Sequence, residues 1–282
     1  MATTVALIGA GGKMGMRIAR NLARSSEYEV LYAETGEQGV ARLAGLGLGV
    51  TPGEDAVARA GIIVLAVPDA LIRDVSRKLV PKARPGATVI LLDPAAAMAG
   101  DVETRDGLGY VVTHPCHPPL FGDQPTEEAR KDFFGGTAAW QDIVVALMRG
   151  SEGTYAAAEA LCREMFAPVR NAHRLTVEQI ALLEPAMAEV VAASAAVLMK
   201  EALEEAVRRG VPRAAAESFM LGHAQIPLAI VFGAVASPFS DGAKVAIRWG
   251  TERVIRDDWR RVFEPDQVRA VIGEMLAAGR RP

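Results

Sequence analysis

Val5-Ala6-Leu7-Ile8-Gly9-Ala10-Gly11-Gly12-Lys13-Met14-Gly15 opens the chain with a short apolar run that breaks into closely spaced glycines. Met16-Arg17-Ile18-Ala19-Arg20-Asn21-Leu22-Ala23 follows, with apolar residues at helical spacing. The pattern reads as strand, tight turn and helix. In such a turn one glycine permits positive φ, one lets backbone N–H groups approach a pyrophosphate, and one lets helix and strand pack closely. The bare helix N-terminus then faces the phosphate charge. The usual fingerprint sets glycines at the first, third and sixth positions. Gly9 and Gly11 fit, the sixth position is Met14, and Gly15 comes one residue later, with Gly12 as the extra residue. A plain glycine turn is the bland alternative. The context, after a strand and opening a helix in a βαβ-length unit, favours a dinucleotide site.

Downstream the strand–helix alternation continues. Tyr28 to Ala33 reads as a second strand ending at Glu34. An acidic residue there can accept hydrogen bonds from ribose hydroxyls and repels a 2′-phosphate. Thr35-Gly36-Glu37 brings no arginine immediately after it, so NAD is preferred to NADP. The alternative is a solvated acidic strand end. Thr51 to Ala60 fits a helix with Thr51 near its N-cap and Pro52 at its first position. Ile62-Ile63-Val64-Leu65-Ala66-Val67 suits a central parallel strand buried on both faces, ending at Pro68-Asp69, the carboxyl edge where ligands bind in open α/β sheets. Asp69 either caps the next helix, Ala70 to Leu79, or touches cofactor. Thr88 to Leu92 and Tyr110 to Thr113 are further strands, ended by Asp93-Pro94 and by His114-Pro115-Cys116-His117-Pro118-Pro119. The expected fold is α/β, an N-terminal Rossmann-type doubly wound parallel sheet. Residues 118 to 138 form an irregular excursion of lid length. Asp142 to Met148 and Val169 to His173 are late strands, with a helix from Tyr155 to Met165 between them.

From Thr176 the character changes. Thr176 to Arg209 reads as one long helix interrupted only by Pro185, and helical stretches follow near 213–234, 241–256 and 265–278. The expected division is therefore 1–173, a cofactor-binding domain with its substrate-side loop at 114–138, and 174–282, an all-helical domain. Apolar content that this second domain cannot cover suggests a homodimer. Phe219 to Phe239 is strongly apolar, but His223, Gln225 and Pro227 interrupt it, so a buried helix is expected rather than a membrane span.

The bulk numbers agree with a globular enzyme. The chain has 282 residues, half of them apolar, and a net charge of −3 with both signs mixed. Nothing reads as a basic nucleic-acid surface. Cys116 and Cys162 form neither a disulfide framework nor a zinc spacing, and the N-terminus lacks the basic region of a signal peptide; both point to the cytoplasm.

Chemistry concentrates in few residues. Two of the four histidines, His114 and His117, share one Pro-stiffened segment at a strand end. A histidine there can move protons near neutral pH or ligate a metal. Joint ligation requires the segment to turn back on itself. The bland alternative is two rings that merely hydrogen-bond around a turn. Glu184 lies in an apolar stretch of the long helix before Pro185, where a carboxylate must be paired, protonated or bound to a cation unless it reaches solvent. Pro185 frees a carbonyl and predicts a kink. On a straight helix Lys200 faces away from Glu184 and sits among Glu201, Glu204 and Glu205, so a solvated face is expected. His223, Asp241 and Lys244 are weaker lining candidates. Cys116 has no nucleophile context, and His173 reads as an ordinary surface or interdomain residue.

The glycine turn, the Leu65-Ala66-Val67-Pro68 edge, the His114-Pro115 strand end and the long helix together resemble the 6-phosphogluconate and prephenate dehydrogenase group. Gly9-Ala10-Gly11-Gly12-Lys13-Met14-Gly15, Thr113-His114-Pro115-Cys116-His117-Pro118-Pro119-Leu120-Phe121-Gly122-Asp123 and the Glu184-Pro185 helix resemble, more closely, the D-apionate oxidoisomerases. The resemblance implies NAD held by Gly9, Gly11, Gly12, Lys13, Met14, Gly15, Glu34, Val67 and Pro68. It implies oxidation of the 2-hydroxyl of a branched hydroxy acid followed by an α-ketol shift to 3-oxo-isoapionate. That chemistry asks for a hydride acceptor, a base and an electrophile. A divalent ion on His114 and Glu184, with His117 as alternative ligand or base, would serve. The rival readings are a simple NAD-dependent hydroxyacid dehydrogenase, a prephenate-type decarboxylase and a non-catalytic NAD sensor.

Overall fold

The computed structural model describes residues 2–279 and divides into two compact units, 1–182 with 269–282, and 183–268. In the first, seven strands form one sheet in the order β2-β1-β3-β4-β5-β6-β7: β1 (Thr3–Ile8), β2 (Tyr28–Ala33), β3 (Ile62–Leu65), β4 (Thr88–Leu91), β5 (Gly109–Pro115), β6 (Gln141–Arg149) and β7 (Val169–Leu175). The order reverses direction at β1, the switch point of a doubly wound sheet, where β1 pairs with both β2 and β3. The continuous apolar runs at β3 and β4 are buried throughout, as central parallel strands require.

The sheet is the doubly wound, parallel-dominated one expected; among the described residues its one antiparallel pair is β5–β6. The excursion after His117 returns the chain to the same edge of the sheet, so no crossover helix precedes β6 and the next strand enters reversed. The helix α7 (Glu152–Met165) then restores a parallel β6–β7 pair. Its start is secured by a reciprocal Ser151–Thr154 capping box.

Helices α1 (Lys13–Leu22) and α7 cover one sheet face. Met16, Ile18, Leu22, Leu161, Cys162 and Met165 close there over Val5, Leu7, Val64, Ile90, Val111 and Ile143. Each such large side chain taken from water contributes roughly 1.5–3 kcal/mol. The remaining helices of this unit are α2 (Glu37–Ala44), α3 (Gly53–Arg59), α4 (Asp69–Leu79), α5 (Ala95–Met98), α6 (Glu127–Lys131), α8 (Val177–Ala181) and most of the last helix, Pro265–Ala278. Helix α3 starts one residue later than the sequence suggests: Pro52 is its N-cap and no side chain caps it, so Thr51 does not serve. The Thr51 N–H donates instead to the Tyr32 carbonyl at 2.7 Å.

The second unit is helical. The helix begun by α8 continues through Leu182–Ala193 as a wide π-helical stretch of 12 residues and then as α9 (Ser194–Arg208). Pro185 lies inside this stretch, so the N–H missing there is absorbed by the wider ladder rather than by a single kink. By length and composition Val177–Arg208 is apolar enough to cross a membrane, with a mean hydropathy of 1.7 over an 18-residue window. Helices α10 (Arg213–Val231) and α11 (Asp241–Val254) follow, and Arg213 ties α10 to α9 through Glu204 at 2.7 Å. The last helix, α12 (Pro265–Ala278), ends the description. The burial expected of the Phe219–Phe239 stretch is not found. α10 buries only Ala216 and Ala229, while Phe219, Leu221, Ile226, Val231 and Phe232 are exposed.

Candidate active site

The glycine turn closes against the start of β3's exit. Gly9 adopts φ +78°, and a Cβ there would stand 2.6 Å from the Ala66 carbonyl oxygen and 2.8 Å from the Val67 side chain. Val67 and Pro68, which lead into α4, therefore line the turn. Gly11 backs onto Gly39, with 2.4 Å between its would-be Cβ and the Gly39 Cα. Gly15 has the same intolerance: its Cβ would fall 2.2 Å from the Gly9 carbonyl oxygen. Gly15 thus performs the close-packing role one residue later than the usual spacing. Gly12 is the N-cap of α1, and no side chain caps that end. Its first N–H groups, from Lys13 and Met14 onward, have no intrahelical acceptors. A hollow of ≈560 Å³ beside the turn is lined by Gly12, Lys13, Met16, Arg20 and Arg42.

Glu34 stands at this turn with its carboxylate engaged. One oxygen accepts the Gly11 N–H at 2.9 Å, and the other accepts those of Thr35 and Gly36 at 2.8 and 2.9 Å. Gly39 leaves the space that the carboxylate occupies. Sequence reading missed Arg42. It lies one helix beyond Glu34, and its Nε donates to the Gly11 carbonyl at 2.9 Å. Only the packing of α2 against the turn brings it there.

At the carboxyl end of β5, His114 is mostly buried, and its Nδ1 lies 2.8 Å from the Leu92 carbonyl. A carbonyl only accepts, so Nδ1 carries the proton and the ring's lone pair is on Nε2. Asp93 Oδ2 lies 3.7 Å from Nδ1, and Asp93 Oδ1 accepts the Ala95 N–H at 2.8 Å. Asp93 is a second residue that the sequence reading left unassigned. Its only signal there is an Asp-Pro pair at the carboxyl end of a buried strand.

The segment does turn back on itself. Cys116 hands its N–H to the Asp142 carbonyl at 2.9 Å, and His117 takes the left-handed φ of +61°. Backbone of this kind in a non-glycine residue is strained and gathers at functional sites. The His114 and His117 rings meet nearly perpendicular with centroids 6.1 Å apart. His117 Nδ1 donates to the Phe134 carbonyl at 2.9 Å, which again leaves the lone pair on Nε2.

Phe134 belongs to the excursion, which is internally braced. Gln124 and Trp140 exchange two hydrogen bonds across its neck, and Asp132 accepts the N–H groups of Thr137, Ala138 and Ala139. It rests on α1, with Arg17 over the Phe134 ring at 4.6 Å and Asn21 donating to the Gly136 carbonyl at 3.1 Å.

Other candidates fall elsewhere. Lys200 pairs with Glu204 at 2.7 Å on an exposed face. The straight-helix reckoning that set it opposite Glu184 does not apply across a π-helical stretch. His223 stacks on Phe219 at 3.8 Å and bonds its carbonyl, and Lys244 pairs with Asp241 at 3.0 Å. Asp69 lies in the first turn of α4, whose N-cap is Pro68. Glu184 sits in the π-helical stretch immediately before Pro185.

Comparison with known proteins follows the same lines. Residues 122–276 match the family model described as phosphogluconate dehydrogenase (decarboxylating) C-terminal, and residues 4–96 match that of NADP oxidoreductase, coenzyme F420-dependent. The chain is 47% identical over 271 residues to the D-apionate oxidoisomerase of Rhizobium rhizogenes, covering 96% of this chain and 98% of the relative. It is 44% identical over 269 residues to that of Cupriavidus necator, covering 95% and 97%. A crystal structure of a semialdehyde dehydrogenase NAD-binding protein from Cupriavidus necator, in complex with calcium and NAD, superposes with a TM-score of 0.94 at 43% identity, covering 98% of this chain and all of that one.

Proposed function

The chain belongs to the D-apionate oxidoisomerase family, and on that premise we propose that it converts D-apionate to 3-oxo-isoapionate with reduction of NAD. The observation that carries this reading is the pair of histidines at the carboxyl edge of a sheet whose first turn is a glycine cradle: His114 and His117 each have Nδ1 tied to a carbonyl and Nε2 as the basic atom.

The residues present fit both groups. The uncapped α1 terminus and glycines that tolerate no Cβ suit a pyrophosphate, and Lys13, Met14, Val67 and Pro68 flank it. Glu34 is the acidic residue for the ribose hydroxyls. Asp93 and His114 set a carboxylate and an imidazole at one strand edge, a mix that suits a divalent cation, and in this reading Glu184 is its third ligand. When bound, NAD accepts the hydride from C2, and a cation there polarises the neighbouring oxygens.

His117 then has the proton work. Its Nε2 takes the proton of the 2-hydroxyl as C2 becomes a ketone. His117 releases that proton to solvent; in the second step its Nε2 takes the proton of the tertiary hydroxyl at C3, and the bond from C3 to one hydroxymethyl carbon breaks as that carbon bonds to C2. C3 becomes the new ketone, and the alkoxide formed at C2 takes a proton back from His117. The Phe134 carbonyl holds the ring in place throughout.

A second copy of the chain completes the assembly in this reading. α11 buries none of its own residues, and Val245, Ile247, Trp249 and Val254 are exposed along it. An apolar surface of this kind marks an interface. In this reading the apolar helix Val177–Arg208 packs within that assembly rather than in a membrane, and use of NAD on a small hydroxy acid supports a cytoplasmic enzyme.

The test mixes protein, NAD and D-apionate and follows NADH by absorbance and product by NMR. NADH with a rearranged carbon skeleton, abolished by EDTA and restored by a divalent cation, is the expected result. An unrearranged 2-keto acid would reduce the reading to a plain dehydrogenase. Bound NAD without NADH formation would remove the substrate assignment.

A further inference from the structure

The β6–β7 pair carries an irregularity. Its register jumps between Gln141 and Ile143: Gln141 pairs with Val169 and Ile143 with Ala172, so Asp142 alone faces Arg170 and Asn171. A bulge re-aims side chains, and bulges gather beside active sites. This one brings two polar side chains onto a single carboxylate. Asp142 Oδ1 accepts the Asn171 backbone N–H and side-chain N–H, both at 3.2 Å, and Oδ2 accepts His173 Nε2–H at 2.9 Å. The Asp142 carbonyl meanwhile accepts the Cys116 N–H, between the two site histidines. Burial works against the Asp142 charge, but the hydrogen bonds from His173 and Asn171 prevail and hold its carboxyl below the usual range.

The sheet places this group relative to His114. His114 pairs with Val144, and Val144 pairs with His173, so the three stand in one cross-strand row. Directly opposed residues project to the same face. The backbones of His114 and His173 are therefore two strand spacings apart, about 10 Å. Two imidazole rings and a short carbon chain span such a gap. The His173 side chain is 53% exposed, and among the described residues no hydrogen bond is made by its Nδ1. With Nε2–H committed to Asp142, Nδ1 carries the lone pair. A lone pair beside an ionised carboxylate repels a carboxylate ligand and accepts from a hydroxyl.

We propose that His173, oriented by Asp142, is a specificity residue that accepts a hydrogen bond from the hydroxymethyl end of a polyhydroxy acid whose reacting carbon lies at His114. This rests on the oxidoisomerase reading above. The acid's carboxylate lies away from His173.

Kinetics of the full-length enzyme with D-apionate, and with an analogue whose hydroxymethyl groups are replaced by methyl, test it. His173→Leu raises KM for D-apionate about tenfold, since one neutral hydrogen bond is lost, while kcat stays within about threefold and NAD affinity, read by fluorescence titration, is unchanged. The variant also loses the preference for D-apionate over the methyl analogue. His173→Gln, which keeps an acceptor, recovers part of that preference. Asp142→Asn, which releases the ring, raises KM in the same direction and provides the reading if His173→Leu does not fold. Variants with wild-type KM and wild-type preference would overturn the assignment of His173. Wild-type enzyme that makes no NADH from D-apionate would instead overturn the oxidoisomerase reading, and this inference with it.

Discussion

In the sheet unit Leu7, Ile63, Leu65, Ile90 and Leu161 are almost completely enclosed, whereas in the helical unit Phe219, Leu221, Phe232 and Trp249 are between 59% and 74% exposed. Both regions have strongly apolar sequences. The difference lies in what each chain segment can fold back on. A parallel sheet receives helices on both faces, so its central strands β3 and β4 bury every side chain within the unit. α10 and α11 have only neighbouring helices, and α11 buries nothing at all. One unit thus makes its own core, and the other presents apolar side chains for something else to cover.

Several experiments break or sharpen that contrast. The largest effect is on turnover. His114→Ala, in the sheet unit, and Glu184→Gln, in the helical unit, should each lower kcat by about 10²–10⁴ while leaving NAD binding intact. If the two share a cation, the double variant is little worse than either alone. Turnover unaffected by Glu184→Gln would reduce the helical unit's role to its surface.

Next comes stability. Ile90→Ala removes atoms from a closed core and should cost about 2–5 kcal/mol in urea unfolding at every protein concentration. Trp249→Ala should spare the unfolding of the sheet unit and instead shift the monomer–dimer equilibrium in sedimentation. Equal losses of unfolding free energy in both variants would show that α11 is a core element after all.

Alkali gives a smaller effect specific to the sheet unit. Burial pushes the Cys162 thiol up to about 12, from an ordinary value of 9.0. Above pH 9 the unfolded chain loses this proton and the folded one keeps it, so stability falls as pH rises. The slope approaches about 1.4 kcal/mol per pH unit until the folded thiol also titrates. Cys162→Ala should flatten that part of the profile in urea titrations between pH 8 and 10.5, values of roughly the range in which thiols ionise. An unchanged slope would mean that the thiol meets water in the folded state. The smallest effect belongs to the exposed Lys200–Glu204 pair: Lys200→Ala should leave the thermal midpoint where it is. A clear drop would show that this face is covered in the assembly.

Much of the sheet unit was legible in the amino-acid order. The glycine turn, the strands at Tyr28–Ala33 and Ile62–Leu65 and the break at His114 each announce themselves within a few residues. Less of the site was legible. The two histidines stood out because they share six residues, yet their perpendicular approach depends on the positive φ of His117. Asp93 was hidden because its importance comes from Leu92 and His114 being neighbours across two strands. His173 looked like a surface residue because its partner, Asp142, lies 31 positions away in sequence.

The sequence by itself determined the element types, the cofactor turn and the change from alternating to helical architecture, because periodicity and glycine placement act over one turn of helix or strand. Tertiary structure alone decided the reversal of β6, the arrival of Arg42 at the glycine turn, the π-helical passage around Pro185 and the Asp142–His173 pair. Each of these depends on strand register or helix packing between distant segments, and such contacts leave no local pattern in the chain.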